Sequence, residues 1–218
     1  MRLVPDSPIG IPPFGLSADE VETVIDLTCR GARSANAHVT PGLLEVPITS
    51  LVRKEMRRVK KELGLTNLEI RGEHELDDMA SRSDPKILGR IDITLKFLRQ
   101  FGNEDEYVAI ECKRVGPGSA YSQLNGYYVS DGVDRFVNGH YAAGHAFGFM
   151  LGYVLALPVL KIVKSIDKRV RTAYGDAAAL KERDCHPEAL AVNVNALVRQ
   201  SGQPMELFHL FVDMTSAA

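Results

Sequence analysis

Three residues in two neighbouring apolar runs have the types and spacing to do chemistry together. Asp92 stands in Arg90-Ile91-Asp92-Ile93-Thr94, and Glu111 and Lys113 stand in Val108-Ala109-Ile110-Glu111-Cys112-Lys113. Alternation along a strand puts Glu111 and Lys113 on one face and sends Ile110, Cys112 and Arg114 to the other. Carboxylates inside apolar strands are costly unless they are paired or bound to a metal. Two of them beside a lysine suit a Mg²⁺ ion, which accepts one or two carboxylates and keeps several waters. Such an ion activates a water and neutralises the charge that builds up when a phosphodiester is attacked in line. The lysine would orient or deprotonate that water, or stabilise the transition state; the sequence does not choose among these roles.

The elements needed to position these residues can be read from periodicity and punctuation. Ser17-Ala18-Asp19-Glu20 is a capping box that opens a first helix, expected to end near Gly31. Thr40-Pro41 is a plausible start for a second helix, with Pro47 either kinking it or marking its true beginning. Leu51, Met56, Val59 and Leu63 form its stripe, and Gly64 stops it. Strands are predicted at 68–76, 87–98 and 107–115, the last two joined by a polar hairpin at 101–106. A helix follows over 120–137, with Val129, Val133, Phe136 and Val137 on one face. The apolar run 146–155 reads as a buried strand. Pro158 opens a helix with Ile162, Ile166 and Val170 inward and Lys161, Lys164, Lys168 and Arg171 outward. A polar loop and short helix over 177–200 lead to a last strand at 207–214.

Asp92, Glu111 and Lys113, in the order helix, strand, strand with Asp, strand with Glu-x-Lys, helix, resemble the PD-(D/E)XK nuclease superfamily of restriction-endonuclease-like fold. The resemblance covers about half the chain, 43–153, and departs from the name because Arg90-Ile91 stands where a proline would precede Asp92. It implies an α/β fold, a central mixed β-sheet flanked by helices. It also implies a Mg²⁺-dependent nuclease, with Mn²⁺ able to substitute, acting on DNA in genome maintenance or phage defence. Members often carry a glutamate on the first core helix. Glu45, in Leu44-Glu45-Val46-Pro47-Ile48-Thr49, resembles that helix opening, with Glu55 and Glu62 as alternatives. Gln123 and Tyr127 resemble the QxxxY element of RecB-type members and would support substrate or lysine placement. The implied metal ligands are Glu45, Asp92 and Glu111. The rival readings are a non-catalytic subunit that keeps the fold and docks on a larger nucleic-acid machine, and an RNA-directed nuclease.

Composition bounds these expectations. The 218 residues are 45% hydrophobic, enough for one well-buried core, so a single domain is drawn over 1–218. Within it, 1–40 is an arm and accessory helix, 41–160 the catalytic core, and 161–218 C-terminal helices and a final strand. A net charge of −2 argues against indiscriminate coating of nucleic acid but not against a local basic groove. Without a recognisable base-reading module, specificity is expected from a partner subunit or from DNA structure, and a homodimer would present two sites for two strands. Three scattered cysteines and no signal pattern point to reduced thiols in the cytoplasm, and no run is long enough to span a membrane.

Several residues have plainer readings. Cys112 is expected to be a core residue, His140 and His145 loop or core histidines, and Arg135 a partner of Asp131 unless it meets a phosphate. The basic run 53–61 reads as a solvated helix face or a phosphate-contacting one. Glu73 and Glu75 are reserve metal ligands.

Overall fold

The computed structural model describes residues 14–72, 74–77, 87–103 and 105–218. The proline-rich stretch at 1–13 and Glu73 therefore lie outside the described residues, and Glu75 is described by its backbone alone. Helix α1 spans Ala18–Asn36 and α2 spans Glu45–Glu62. Strands follow at Leu68–Arg71 (β1), His74–Asp77 (β2), Ile87–Ile91 (β3), Ile93–Phe97 (β4) and Val108–Val115 (β5). Helix α3 (Ser122–Tyr128) runs through a π turn at Val129–Val133 into α4 (Asp134–Val137). Strand β6 (Phe147–Val154), helix α5 (Val159–Tyr174) and strands β7 (Lys181–Glu182), β8 (Ala191–Val198) and β9 (Pro204–Asp213) complete the order.

Among the described residues, seven strands form one mixed sheet in the order β1-β4-β5-β6-β9-β8-β7, and β2 with β3 makes a separate ribbon. β1, β4 and β5 are antiparallel in turn, whereas β6 lies parallel to both β5 and β9. Every residue of β6 is buried, as a strand covered on both faces must be, and its unbroken apolar run has this cause. One apolar cluster joins α1 and α2 to the sheet through Ile110, Cys112, Phe149 and Leu210. The other joins the α3–α5 side through Ala109, Val115, Met150, Phe211, Ile162 and Ile166.

Four expectations change. The first helix runs past Gly31 to Asn36, because Gly31 lies inside the α1–α2 contact: a Cβ there would stand 2.4 Å from Met56 Cγ and 3.0 Å from its Cα. The second helix starts at Glu45, with Pro47 in its first turn, where a missing N–H costs nothing. The expected strands 68–76 and 87–98 each divide, near Gly72 and at Asp92, because the chain leaves the main sheet for the β2–β3 ribbon and returns. The segment 177–200 holds no α-helix; it contributes β7 and β8 instead, and β8 pairs along its whole length with β9. Asn193 and Asn195 gave it a loop-like composition, yet both are buried. The division drawn at 160/161 falls inside α5. No helix among the described residues is long and apolar enough to cross a membrane.

Candidate active site

The ladder between β4 and β5 ends at the pair Ile93–Ile110. Beyond it β5 continues paired with β6 on one side and, among the described residues, with no strand on the other, so edge amides are left over. Two carboxylates take them. Cys112 N–H donates to Asp92 Oδ2 at 2.8 Å, and Arg114 N–H donates to Glu45 Oε2 at 3.1 Å. The break at Asp92 thus serves the site, since it places a carboxylate where a strand partner would have been.

Glu45 arrives from the first turn of α2, where a negative charge is favoured by the helix dipole. The helix is fixed a turn later by Tyr153 of β6, whose hydroxyl donates to Thr49 Oγ1 at 3.1 Å. Glu55 and Glu62 are excluded as its equivalents. Glu55 is buried and paired with Arg58 at 3.2 Å, some ~15 Å further along the helix. Glu62 lies at the far end.

Lys113 Nζ makes three contacts: Glu111 Oε1 at 2.8 Å, the Cys112 carbonyl at 3.0 Å and Glu45 Oε1 at 3.1 Å. Three donors meet three acceptors, which leaves the ammonium saturated. Although burial opposes its charge, Glu111, Glu45 and Asp92 together hold its pKa above the ordinary lysine value. Lys113 is therefore a fixed cation in this arrangement.

Glu111 is 1% exposed, and its Oε2 is buried with no hydrogen-bond partner among the described residues. Burial, and then the charge of Asp92, push its pKa up to about 8 against the pull of Lys113. Asp92 is also raised, by burial first, against the opposing effects of Lys113 and the Cys112 amide. A buried and a half-buried carboxylate that resist ionising together, one with an unpartnered oxygen, form a hard-oxygen set that fits a divalent cation. The set is small: among the described residues no three His, Cys, Asp or Glu side chains gather as a metal cage.

A pocket of about 450 Å³ opens over the site, lined by Glu45, Lys113, Tyr127, Asp131 and Arg135 among others. Arg135 departs from expectation. It does not hydrogen-bond to Asp131; its Nη1 donates to the Tyr141 hydroxyl and stands 3.9 Å from Glu111 Oε1. Tyr141 is fully buried and donates to the Arg90 carbonyl at 2.6 Å. Its loop is tied down by Arg199, a buried guanidinium that donates to the carbonyls of Phe136, Tyr141, Ala142 and His145. Tyr141 and Arg199 were missed because each sits in a segment with no motif, and Arg135 was read as a partner of Asp131 or of a phosphate but not as a neighbour of Glu111. A cation eight residues after Tyr127 on the same helical run was the available signal for Arg135.

Gln123 and Tyr127 share a helix face, and Gln123 Nε2 donates to the Tyr127 hydroxyl at 2.6 Å. Tyr127 lines the Lys113 pocket, but Gln123 does not; it faces a neighbouring groove. Asn125, between them, bonds both ways with the backbone of Gly116 and so fixes α3 to the end of β5. His145 is a buried core histidine whose Nε2 meets the Asp105 carbonyl at 2.9 Å. Cys112 packs in the core as expected. Of the basic run on α2, Arg57 donates to the Ile70 carbonyl and Arg58 pairs with Glu55, leaving Lys54 and Lys61 exposed.

No protein-family model, curated protein or solved structure matches this chain.

Proposed function

We propose that the chain is a metal-dependent nuclease of the restriction-endonuclease-like class, hydrolysing phosphodiester bonds in DNA. The observation that carries this reading is the meeting of Asp92, Glu111, Lys113 and Glu45 where β4 parts from β5, with a buried, unpartnered Glu111 oxygen beside Asp92. The run α2, β1, β4, β5, α3, β6 supports it further, with three antiparallel strands followed by a parallel one and the β2–β3 ribbon as an insertion.

Asp92 and Glu111 would hold Mg²⁺ or Mn²⁺, with Glu45 as helper. The ion would activate water and neutralise charge on the phosphate. Lys113, kept protonated by its carboxylates, stabilises negative charge and orients water rather than removing a proton. Glu45 positions that ammonium, and Arg135, which lines the same pocket, offers a second cation to the phosphate.

The test is digestion of linear, circular and single-stranded DNA, and of RNA, with Mg²⁺, Mn²⁺ or EDTA. Metal-dependent cleavage of DNA is expected. Preferential cleavage of RNA would move the substrate assignment. Cleavage of nothing with either metal would sink the enzyme reading in favour of a docking subunit with the same fold.

A further inference from the structure

The groove that Gln123 faces has its own chemistry. It has a volume of about 1210 Å³ and lies between the α3–π turn and α5. That exceeds the ~300–1,000 Å³ typical of small-molecule sites, and hydroxyls and cations are interspersed along it. Ser119, Ser122, Ser130, Ser165 and Thr172 offer hydroxyls, and Gln123 offers an amide. Lys168 and Arg169 supply positive charge from α5. Arg169 is braced by donating to Ser122 O at 3.0 Å and Ser122 Oγ at 2.8 Å. The groove's acid, Asp134, is engaged by the Tyr174 hydroxyl.

Tyr127 joins this groove to the Lys113 pocket, because it lines both. The residue is 43% exposed. A basic channel with hydroxyl donors and one exposed aromatic ring is what an unpaired polynucleotide strand requires: phosphates track the cations, and a base stacks on the ring. The reacting groups point the same way, since Glu111 lies buried behind a pocket of only about 450 Å³. A strand threaded singly would reach it where a paired duplex would be held off.

We infer that the α3–α5 groove is the track for a single, unpaired nucleic-acid strand flanking the scissile phosphate, with Tyr127 as its stacking platform and Lys168 and Arg169 as its phosphate contacts. This rests on the nuclease reading for the word scissile but not for the binding itself. Binding is measured in EDTA, by anisotropy of labelled oligodeoxythymidylate, oligouridylate and a duplex, each about 15 units long. Lys168→Glu is compared with Lys161→Glu, an equal charge change on α5 outside the groove.

The wild type should hold single strands more tightly than duplex. Lys168→Glu should lose ~10-fold or more and flatten the salt dependence, whereas Lys161→Glu should lose under ~2-fold. A preference for either oligonucleotide names the sugar and keeps the groove. Tighter binding of duplex, or equal losses in both variants, overturns it. Single-strand binding by a wild type that cuts nothing would remove the nuclease reading and leave the groove standing.

Discussion

Glu111 is the residue under most electrostatic tension. Its carboxyl is raised from the ordinary 4.5 to about 8 by burial and by Asp92. Between those values the folded protein keeps a proton that the unfolded chain has released. The stability this contributes is complete at acid pH and is lost as pH rises through about 8. Replacing Glu111 by Gln removes the titration and keeps the shape. In EDTA, thermal melts should show Glu111→Gln gaining on the wild type from pH 5 to 8, by about 1–3 kcal/mol. Mg²⁺ should reverse the order: at roughly 100 times its Kd it would stabilise the wild type by about 2.7 kcal/mol and leave the variant unmoved. Equal metal responses in the two proteins would remove Glu111 from the ligand set.

At the scale of elements, the site depends on where α2 is held, and α2 is held by α1. Gly31 lets the two helices approach until Met56 backbone would lie 3.0 Å from a Cβ. Gly31→Ala should therefore lower stability by about 1–3 kcal/mol in urea titrations, although alanine is the better helix former by ~1 kcal/mol. A stabilised variant would show that this contact is loose. The same glycine illustrates what the sequence concealed. Periodicity located β5, β6 and α5, because each buries a regular face, and it read Gly31 as a stop because a backbone contact leaves no pattern. The division at Asp92 was equally hidden: Ile91 and Ile93 continue the alternation while the chain changes sheets. Of the candidate site, Asp92 and Glu111 were legible because carboxylates in apolar strands stand out, Lys113 because alternation puts it on the face of Glu111, and Glu45 only through the resemblance of its helix opening. Tyr141 and Arg199 were not, since their roles come from hydrogen bonds to backbone carbonyls, which leave no side-chain signature.

For the molecule as a whole, the two cores on either side of the sheet impose a pH limit. His209 is fully buried between Tyr128 and Asn195, with ring nitrogens 3.0 Å from each partner. Asn195 Nδ2 donates to the Ala178 carbonyl, so its oxygen faces the ring and His209 carries its proton on Nε2. Burial lowers His209 to about 3 and His145 to about 4. Below the ordinary value of 6.5 the unfolded chain takes up protons that the native state refuses, so stability falls as pH falls from 6.5 toward 4. Unfolding free energies from urea titrations should drop by roughly 1–2 kcal/mol per pH unit across that window, with Glu111 opposing in part. His209→Gln should show a shallower slope, and an unchanged slope would place the acid sensitivity elsewhere. The central claim, that Asp92, Glu111 and Lys113 cut phosphodiesters together, is tested most directly by single-turnover cleavage of labelled DNA in Mn²⁺, comparing wild type with folded Lys113→Ala. Loss of at least ~100-fold in rate is expected, from removal of the one cation fixed among the carboxylates. Cleavage by the wild type that persists undiminished in Lys113→Ala would contradict it.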